Sequence, residues 1–419
     1  MQTPSYRTYW FGTLASVLGF QMLNFSQFWV IHELTNSPLY LGYVGVANAV
    51  PAIILNVFGG VVADRINRQK LIIVTQFVNS FLIIILAALV FTDVVEAWHV
   101  ILIAFITGGI NAFDQPARQA LYPSLVERKV LMNAVALNTA IWTGTRIVAP
   151  AIAGLVITLT NTAASFTLSA IGFLTMSIVV MKMSIPKSSP MGKSGASDFL
   201  DGFKFLMKHS VFMFLIGLTF LNSFFGMAYI PMMPVFAVDI LKVGADGQGI
   251  LMAFGGVGAV ISTLAIGRIT NLSRRGLLVI GGSLIFGSLI SIFSLTSALF
   301  NNYYLAVSLM FLVGLSSSAY LITIMSSLQL MVPDYMRGRI MGFFGMTWSI
   351  MPLGGMYAGF LAKYLGGGGN GVAYAIAIGG LLIALFAIGP AFYNKEVRSL
   401  SKIVEENNYA VEYQAPKTV

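Results

Sequence analysis

Cysteine is absent from the 419-residue chain, so it has no disulfide framework and no thiolate metal site. Histidine occurs only at His32, His99 and His209, too few and too scattered for the ligand cluster of a membrane metalloenzyme. No G-x-x-x-x-G-K-S/T phosphate loop occurs, and no polar stretch is long enough to fold into an ATP-hydrolysing domain. Charge is the scarcest commodity. Only 9% of residues are Asp, Glu, Lys or Arg, whereas a soluble domain carries about 25%. With 57% hydrophobic residues and a mean hydropathy of +0.84, most of the surface has to face lipid. The chain reads as a polytopic membrane protein.

A bilayer core of about 30 Å takes about 20 apolar residues per helix. Twelve stretches qualify: 9–33, 39–62, 71–92, 97–118, 132–158, 163–182, 211–238, 247–267, 277–297, 303–330, 340–364 and 371–393. The first run, from about Tyr9, is too long for a cleavable signal peptide and lacks a small-residue cleavage site. With both termini cytoplasmic, 21 of the 24 Lys and Arg fall at the N-terminus, in or beside the even-to-odd loops, or in the tail. The exceptions are Arg146, Lys242 and Lys363, and the opposite topology would invert the ratio. The net charge of +9 is thus a topology signal, which removes the reason to invoke nucleic acid.

The longest polar interruption, 186–210, reads as a cytoplasmic linker with a short amphipathic helix near Phe199 to Met207. It divides the chain into a six-helix bundle over 1–185 and a second over 211–393, followed by a tail over 394–419 expected to be loosely ordered. The halves echo each other. Gly60, Asp64 and Arg68 return 207 positions later as Gly267, Asn271 and Arg275, and Gln119 with Pro123 returns 210 later as Gln329 with Pro333. A duplicated six-span unit follows, and parallel repeats place a substrate site at their interface near the midplane.

GGVVADRINRQKLI, Gly59 to Ile72, gathers Asp64, Arg65, Arg68 and Lys70 between two apolar runs. It resembles the signature between spans two and three of the major facilitator superfamily, with Asn67 where the family has a turn glycine, a place an asparagine can fill in the left-handed region. HELTNSPLYLG (32–42), FDQPARQALYPSLVERKVLMNAVALN (113–138) and VPDYMRGRIMG (332–342) are similar to the branch containing enterobactin exporters and macrolide efflux pumps, the drug:H+ antiporter-3 group. The resemblance covers essentially the whole chain. It implies an all-α fold of twelve transmembrane helices in two pseudo-symmetric bundles that rock about a central cavity. It further implies export of amphipathic small molecules, drugs or siderophore-like metabolites, by proton antiport in the cell membrane.

Individual residues then take candidate roles. Basic loop residues such as Arg65 and Lys70 are explained by topology alone, but Asp64 is not; an acid there can dock on a helix N-terminus. The resemblance implies that Asp64, with Arg65 and Arg68, latches the cytoplasmic side. Asp114 needs a cation at its depth, and Arg68 and Arg118 are the candidates, either as a static ion pair or as a gating and proton site. Arg146 lies near the midplane with no other charge in its span, and Asn138, Trp142 and Thr145 share its face. It either bonds backbone carbonyls at a helix crossing or lines a cavity and draws an anionic or polar group. Pro150 between Gly144 and Gly154 is expected to kink that span. The segment resembles the exporters' antiporter motif with Ala149 replacing a Gly.

Span one carries Gln21, Asn24, Gln27 and His32 as a polar stripe expected to face the cavity, with His32 near enough to the outer end to meet water. Asn222, Tyr229, Ser317 (in the run Ser316–Ser318), Tyr320 and Trp348 are its second-half counterparts. Protonatable groups are few: Glu33 and His32 outside, Asp114 inside, and none at the midplane. The arginine that many drug–proton antiporters carry in span four is missing around ITGGI (106–110). Expected partners are a small-molecule substrate, a proton and the bilayer, with no cofactor, no metal and no nucleic acid, in a monomeric unit. A dedicated siderophore or lipid-like metabolite exporter is the sister reading; a channel or non-transporting sensor is the reading from another class, and a duplicated two-bundle plan suits it less.

Overall fold

The computed structural model describes residues 4–183, 196–269, 274–393 and 395–406; for 56–65, 128, 196–201, 334–335, 390–393, 395–396 and 405–406 it describes the backbone alone. Helix dominates, and no strand occurs among the described residues. The first unit comprises α1 (Pro4–Thr35), α2 (Pro38–Arg65), α3 (Arg68–Phe91), α4 (Ala97–Leu121), α5 (Leu131–Leu159) and α6 (Thr162–Lys182). Local chemistry sets the breaks. Asn36 and Asp93 turn the chain at positive φ (48° and 55°). Asn161 caps α6 by accepting from the Ala164 N–H at 2.9 Å. Glu96 and His99 close a reciprocal box at the start of α4.

Asn67 departs from the expectation of a left-handed turn. Its φ is −59° and its side chain accepts from the Lys70 N–H at 3.2 Å. It caps α3, a task glycine has no side chain to perform.

The amphipathic linker helix is α7 (Ala196–Lys208), longer than expected, and Gly202 lies against Phe343 and Arg339. Span seven is a broken rod: α8 (Ser210–Leu221), a wide π turn at Asn222–Gly226, α9 (Tyr229–Val235) and a second wide turn at Phe236–Ile240. Then come α10 (Gly244–Gly267), α11 (Arg275–Phe300) and α12 (Tyr303–Met331). Span eleven is divided into α13 (Asp334–Ile350) and α14 (Leu353–Tyr364), with Pro352 between them lacking the N–H that a continuous helix requires. Among the described residues eleven stretches are therefore continuous enough to cross a membrane, and the twelfth crosses in two pieces. The last crossing is α15 (Gly368–Tyr393).

The tail differs from the sequence reading. Lys395–Arg398 (α16) and Leu400–Glu406 (α17) are helical, and Val397 and Leu400 are fully buried. Gly276 leaves room for the Val397 carbonyl, and the Arg275 N–H donates to Ser401 Oγ at 2.8 Å. The two apolar side chains hidden in a polar segment dock it. Residues 407–419 lie outside the described residues.

Lipid tails give apolar helices no reason to prefer one another, so close approach through small residues holds membrane bundles together. Those approaches repeat in both units. Gly108 of α4 meets the Asn48 backbone of α2, and Gly314 of α12 meets the Gly255 backbone of α10. Between the units, Gly154 of α5 meets Ala245 and Gly249 meets Pro150; correspondingly, Gly359 of α14 meets Pro38 and Gly42 meets Met356. Each pair maps onto its counterpart by a shift of about 207 residues, the separation of His32 and Asp239. The contacts thus reveal the pseudo-twofold relation of the two bundles.

Both chain ends of an even-numbered bundle lie on one side, here called the terminal end. The inter-unit contacts just named lie toward the other, distal end. In contrast, Gly144, Gly338, Gly342 and Gly345 face open space. The glycine contacts between the units are thus distal, and toward the terminal end these positions of α5 and α13 have no neighbour within 4 Å.

Candidate functional site

Arg146 stands at the middle of the 29-residue α5, about 20 Å of helix from either end. It lies deep among protein atoms, yet its side chain is exposed. That combination marks a cavity wall rather than a packed interior. The Trp348 ring, from the other unit, sits 5.5 Å from its Cζ, within cation–π range. Tyr229, at the start of α9 beyond the wide turn, lies in electrostatic range of the guanidinium. Proline at position 150 offers no N–H to the Arg146 carbonyl, so the backbone of the same residue also lacks its usual partner. α5 remains helical on both sides of Pro150, and Gly154 serves the crossing with α10.

Around this point the sequence-derived residues divide into three groups. Trp142 is half-buried, with its ring edge-to-face on Phe20 at 6.2 Å, and Gln21 and Asn24 follow on α1, both half-buried. Asn24 donates to its own helix, to the Phe20 carbonyl at 3.0 Å. Asn138 and Trp142 line a small cleft with Tyr9, Thr13, Gln115 and Arg118 at the terminal side. Thr145 is turned in and bonds the Ile141 carbonyl. In the second unit Ser317 is half-buried and bonds the Gly314 carbonyl, and Trp348 is half-buried. Asn222 and Tyr320 are almost wholly buried: Asn222 donates to the Leu218 carbonyl, and Tyr320 packs on Phe286. These two support the wide turn and the α11–α12 packing instead of presenting their side chains to the cavity.

The second group closes the distal end. His32 does not meet water; it is 1% exposed, and its Nε2 lies 3.2 Å from Asp239 Oδ1 across the unit interface. Since 207 residues separate them, the two occupy equivalent positions of the repeat, and their contact falls on the pseudo-twofold axis. Beside it Thr158 donates to Asp246 Oδ1 at 3.3 Å and accepts from the Asp246 N–H at 3.2 Å. Glu33 points away and accepts from Thr162 at 3.3 Å. Gln27, 1% exposed, accepts from Asn48 Nδ2 at 3.5 Å, so it belongs to the α1–α2 contact.

The third group is a buried network in the first unit near the terminal end. Asp114 takes Arg118 as its ion partner, Nε to Oδ2 at 2.6 Å, and accepts from Thr75 Oγ1 at 2.8 Å. Arg118 continues to Ser16 Oγ at 2.7 Å, and Ser16 donates to Gln76 Oε1 at 2.8 Å. Arg68, also buried, reaches the Ala120 carbonyl at 3.5 Å among its contacts; its repeat-mate Arg275 similarly reaches Ser326 Oγ at 3.1 Å. Asp64 and Arg65 end α2, and their side chains lie outside the described residues.

Sequence reasoning missed Asp239, Asp246, Asn48, Ser16, Thr75 and Gln76. Asp239 carried a usable signal, because the repeat offset found in the loops pairs it with His32. The Ser and Thr residues carried none, since such residues commonly bond their own helix and do not declare an inward face.

Comparison with known proteins agrees with this architecture. Residues 1–415 match the family model described as transmembrane secretion effector. The staphyloferrin A transporter of Staphylococcus aureus is 25% identical over 392 residues, covering 91% of this chain and 94% of that one. Macrolide efflux protein A of Streptococcus pyogenes is 24% identical, covering 94% and 96%. The enterobactin exporter EntS of Shigella boydii is 26% identical, covering 91% and 90%. Among solved structures, a bacterial homologue of the human lysosomal transporter Spinster, inward-facing and unoccupied, superposes with a TM-score of 0.72 at 14% identity, covering 97% of this chain and 99% of that one. The nucleoside transporter NupG superposes at 0.66 and 16% identity, covering 93% and 99%. These two likenesses speak for the fold.

Proposed function

Since the chain belongs to the transmembrane secretion effector family of the major facilitator superfamily, we propose that it exports amphipathic small molecules from the cell by alternating access. The observation that carries this reading is Arg146: a cation at mid-depth, exposed to a cavity and covered by an aromatic ring from the opposite unit. A substrate seated there touches both bundles, so its binding energy can bias their rocking. Lys and Arg cluster at the terminal end, which supports a cytoplasmic location for both termini. In that orientation the structure has its cavity toward the cytoplasm and its closure outside.

The proposed assembly is a monomer, with bundles over 1–185 and 211–393, a linker over 186–210 and a tail from 394. His32–Asp239, Thr158–Asp246 and the glycine crossings form the outer closure. Asp64, Arg65 and Arg68 form the inner one, with Asp114 and Arg118 behind them. Proton antiport is the proposed energy source, with Asp114 and Glu33 as its carboxylates; family membership supports it. A dedicated siderophore exporter is the narrower version, favoured by the likeness to the staphyloferrin A and enterobactin transporters.

The test is efflux from proteoliposomes with an imposed pH gradient. Uphill export that stops when the gradient is collapsed is the expected result, and uphill export that persists refutes proton coupling. Asp64→Asn at normal membrane levels should cut the rate at least tenfold; near-normal efflux would remove the inner-closure role.

A further inference from the structure

The charge balance of the cavity is incomplete. Arg146 makes no hydrogen bond or ion pair with any described residue; the Trp348 ring covers it and Tyr229 lies in electrostatic range. Nor does the sequence hold a candidate, because no Asp or Glu falls in the middle of any of the twelve spans. Asp114 is engaged by Arg118 toward the terminal end, Glu33 by Thr162 and Asp239 by His32 toward the distal end. An ionised side chain at such depth ordinarily pairs with an opposite charge. Trp348 covers a face of the guanidinium by cation–π contact, and a face is not where the five N–H donors point. They lie in its plane, in a fork that matches an oxyanion bidentately. Trp142 and Phe20, on the same cavity wall, supply apolar ring surface next to the charge.

We propose that Arg146 is the counter-ion of an anionic substrate, a molecule presenting a carboxylate or similar oxyanion beside a flat apolar portion. The assignment deepens the export reading and rests on it. The guanidinium fork takes the oxyanion, Trp348 orients the fork, and the apolar portion lies against Trp142 and Phe20.

Three probes that share the naphthalene ring system and differ in charge test it: 1-naphthaleneacetate, 1-naphthalenemethanol and 1-naphthylmethylammonium. Their binding to the full chain in phosphatidylcholine nanodiscs, free of anionic lipid, is measured by titration calorimetry. The acetate should bind at least about tenfold tighter than the alcohol, with the ammonium weakest. Arg146→Gln should erase the difference, and Arg146→Lys should keep the preference at several-fold lower affinity because it retains charge without the fork. Adding phosphatidylglycerol should leave acetate binding unchanged; competition would make a lipid headgroup the ligand and overturn the substrate assignment. Equal affinity for the three probes, no acetate binding, or acetate binding indifferent to Arg146→Gln in a folded variant also overturns it. Efflux separates the two readings. Arg146-dependent binding without efflux supports the site and sinks the export reading, whereas efflux indifferent to Arg146→Gln does the reverse.

Discussion

At the residue scale, what decides a polar side chain's role is whether its partner is near in sequence. Asp114 and Arg118 are four apart on α4, so Arg118 was one of two candidate partners in the sequence, with Arg68 the other, and the structure pairs the nearer one with Asp114, both almost fully buried. Removing one member of such a pair strands the other and costs about 3–5 kcal/mol. Asp114→Asn should therefore lower the unfolding midpoint markedly, and Asp114→Asn combined with Arg118→Gln should recover much of the loss. Equal stability of the two variants would show that the pair is not a closed unit. Arg146 was legible as an anomaly, but Trp348, some two hundred residues away in the other unit, was not. His32 was misjudged for the same reason: nearness to a helix end suggests water until Asp239 is brought across the axis.

The elements were readable where composition alone defines them. Twelve apolar stretches sufficed to set the number of crossings, because every backbone polar group in lipid has to be satisfied within a helix. Their continuity was another matter. Span eleven breaks at Met351–Pro352 and span seven has two wide turns flanking a segment with Pro231 and Pro234, so prolines stand at both. Pro150, expected to kink its span, lies inside an α5 that is helical on both sides of it. A proline removes one hydrogen bond, and tertiary packing decides whether the helix yields. The tail was hidden because two apolar residues, Val397 and Leu400, do the docking in a polar segment. A side chain on Gly276 would strike the Val397 carbonyl. Gly276→Leu should thus undock α16 and α17, raising amide hydrogen exchange over 397–406 by an order of magnitude or more while leaving α11 protected. Unchanged exchange would mean that Gly276 is not the seat of the tail.

At the scale of the whole molecule, the distal closure is a set of glycine-to-backbone crossings related by the pseudo-twofold axis, crossed by the polar pairs His32–Asp239 and Thr158–Asp246. Wedges placed symmetrically should act alike. Gly154→Leu and Gly359→Leu should each part the distal ends, and spin labels at Thr160→Cys and Lys363→Cys, free of background because the chain has no cysteine, should report a longer separation. Asp239→Ala removes a hydrogen bond to a charged group, worth about 1.5–3 kcal/mol, and should shift the population toward the distally open form tenfold or more. Separations that match the parent in all three variants would show that this end does not open.

The same architecture has an electrical meaning. A carrier with an uncompensated positive charge halfway through the bilayer is neutral when an anion occupies it and charged when it is empty. A voltage therefore acts on the empty protein, with up to about 2.3 kcal/mol available for each charge moved through 100 mV. Under the proposed antiport the anion-free protein returns with its exchanged proton, and in a cell that is negative inside this positive charge is drawn toward the cytoplasm, so the resting potential adds to the return stroke. A potassium–valinomycin potential, negative on the cytoplasmic side, should speed turnover, and Arg146→Gln should make turnover less dependent on it.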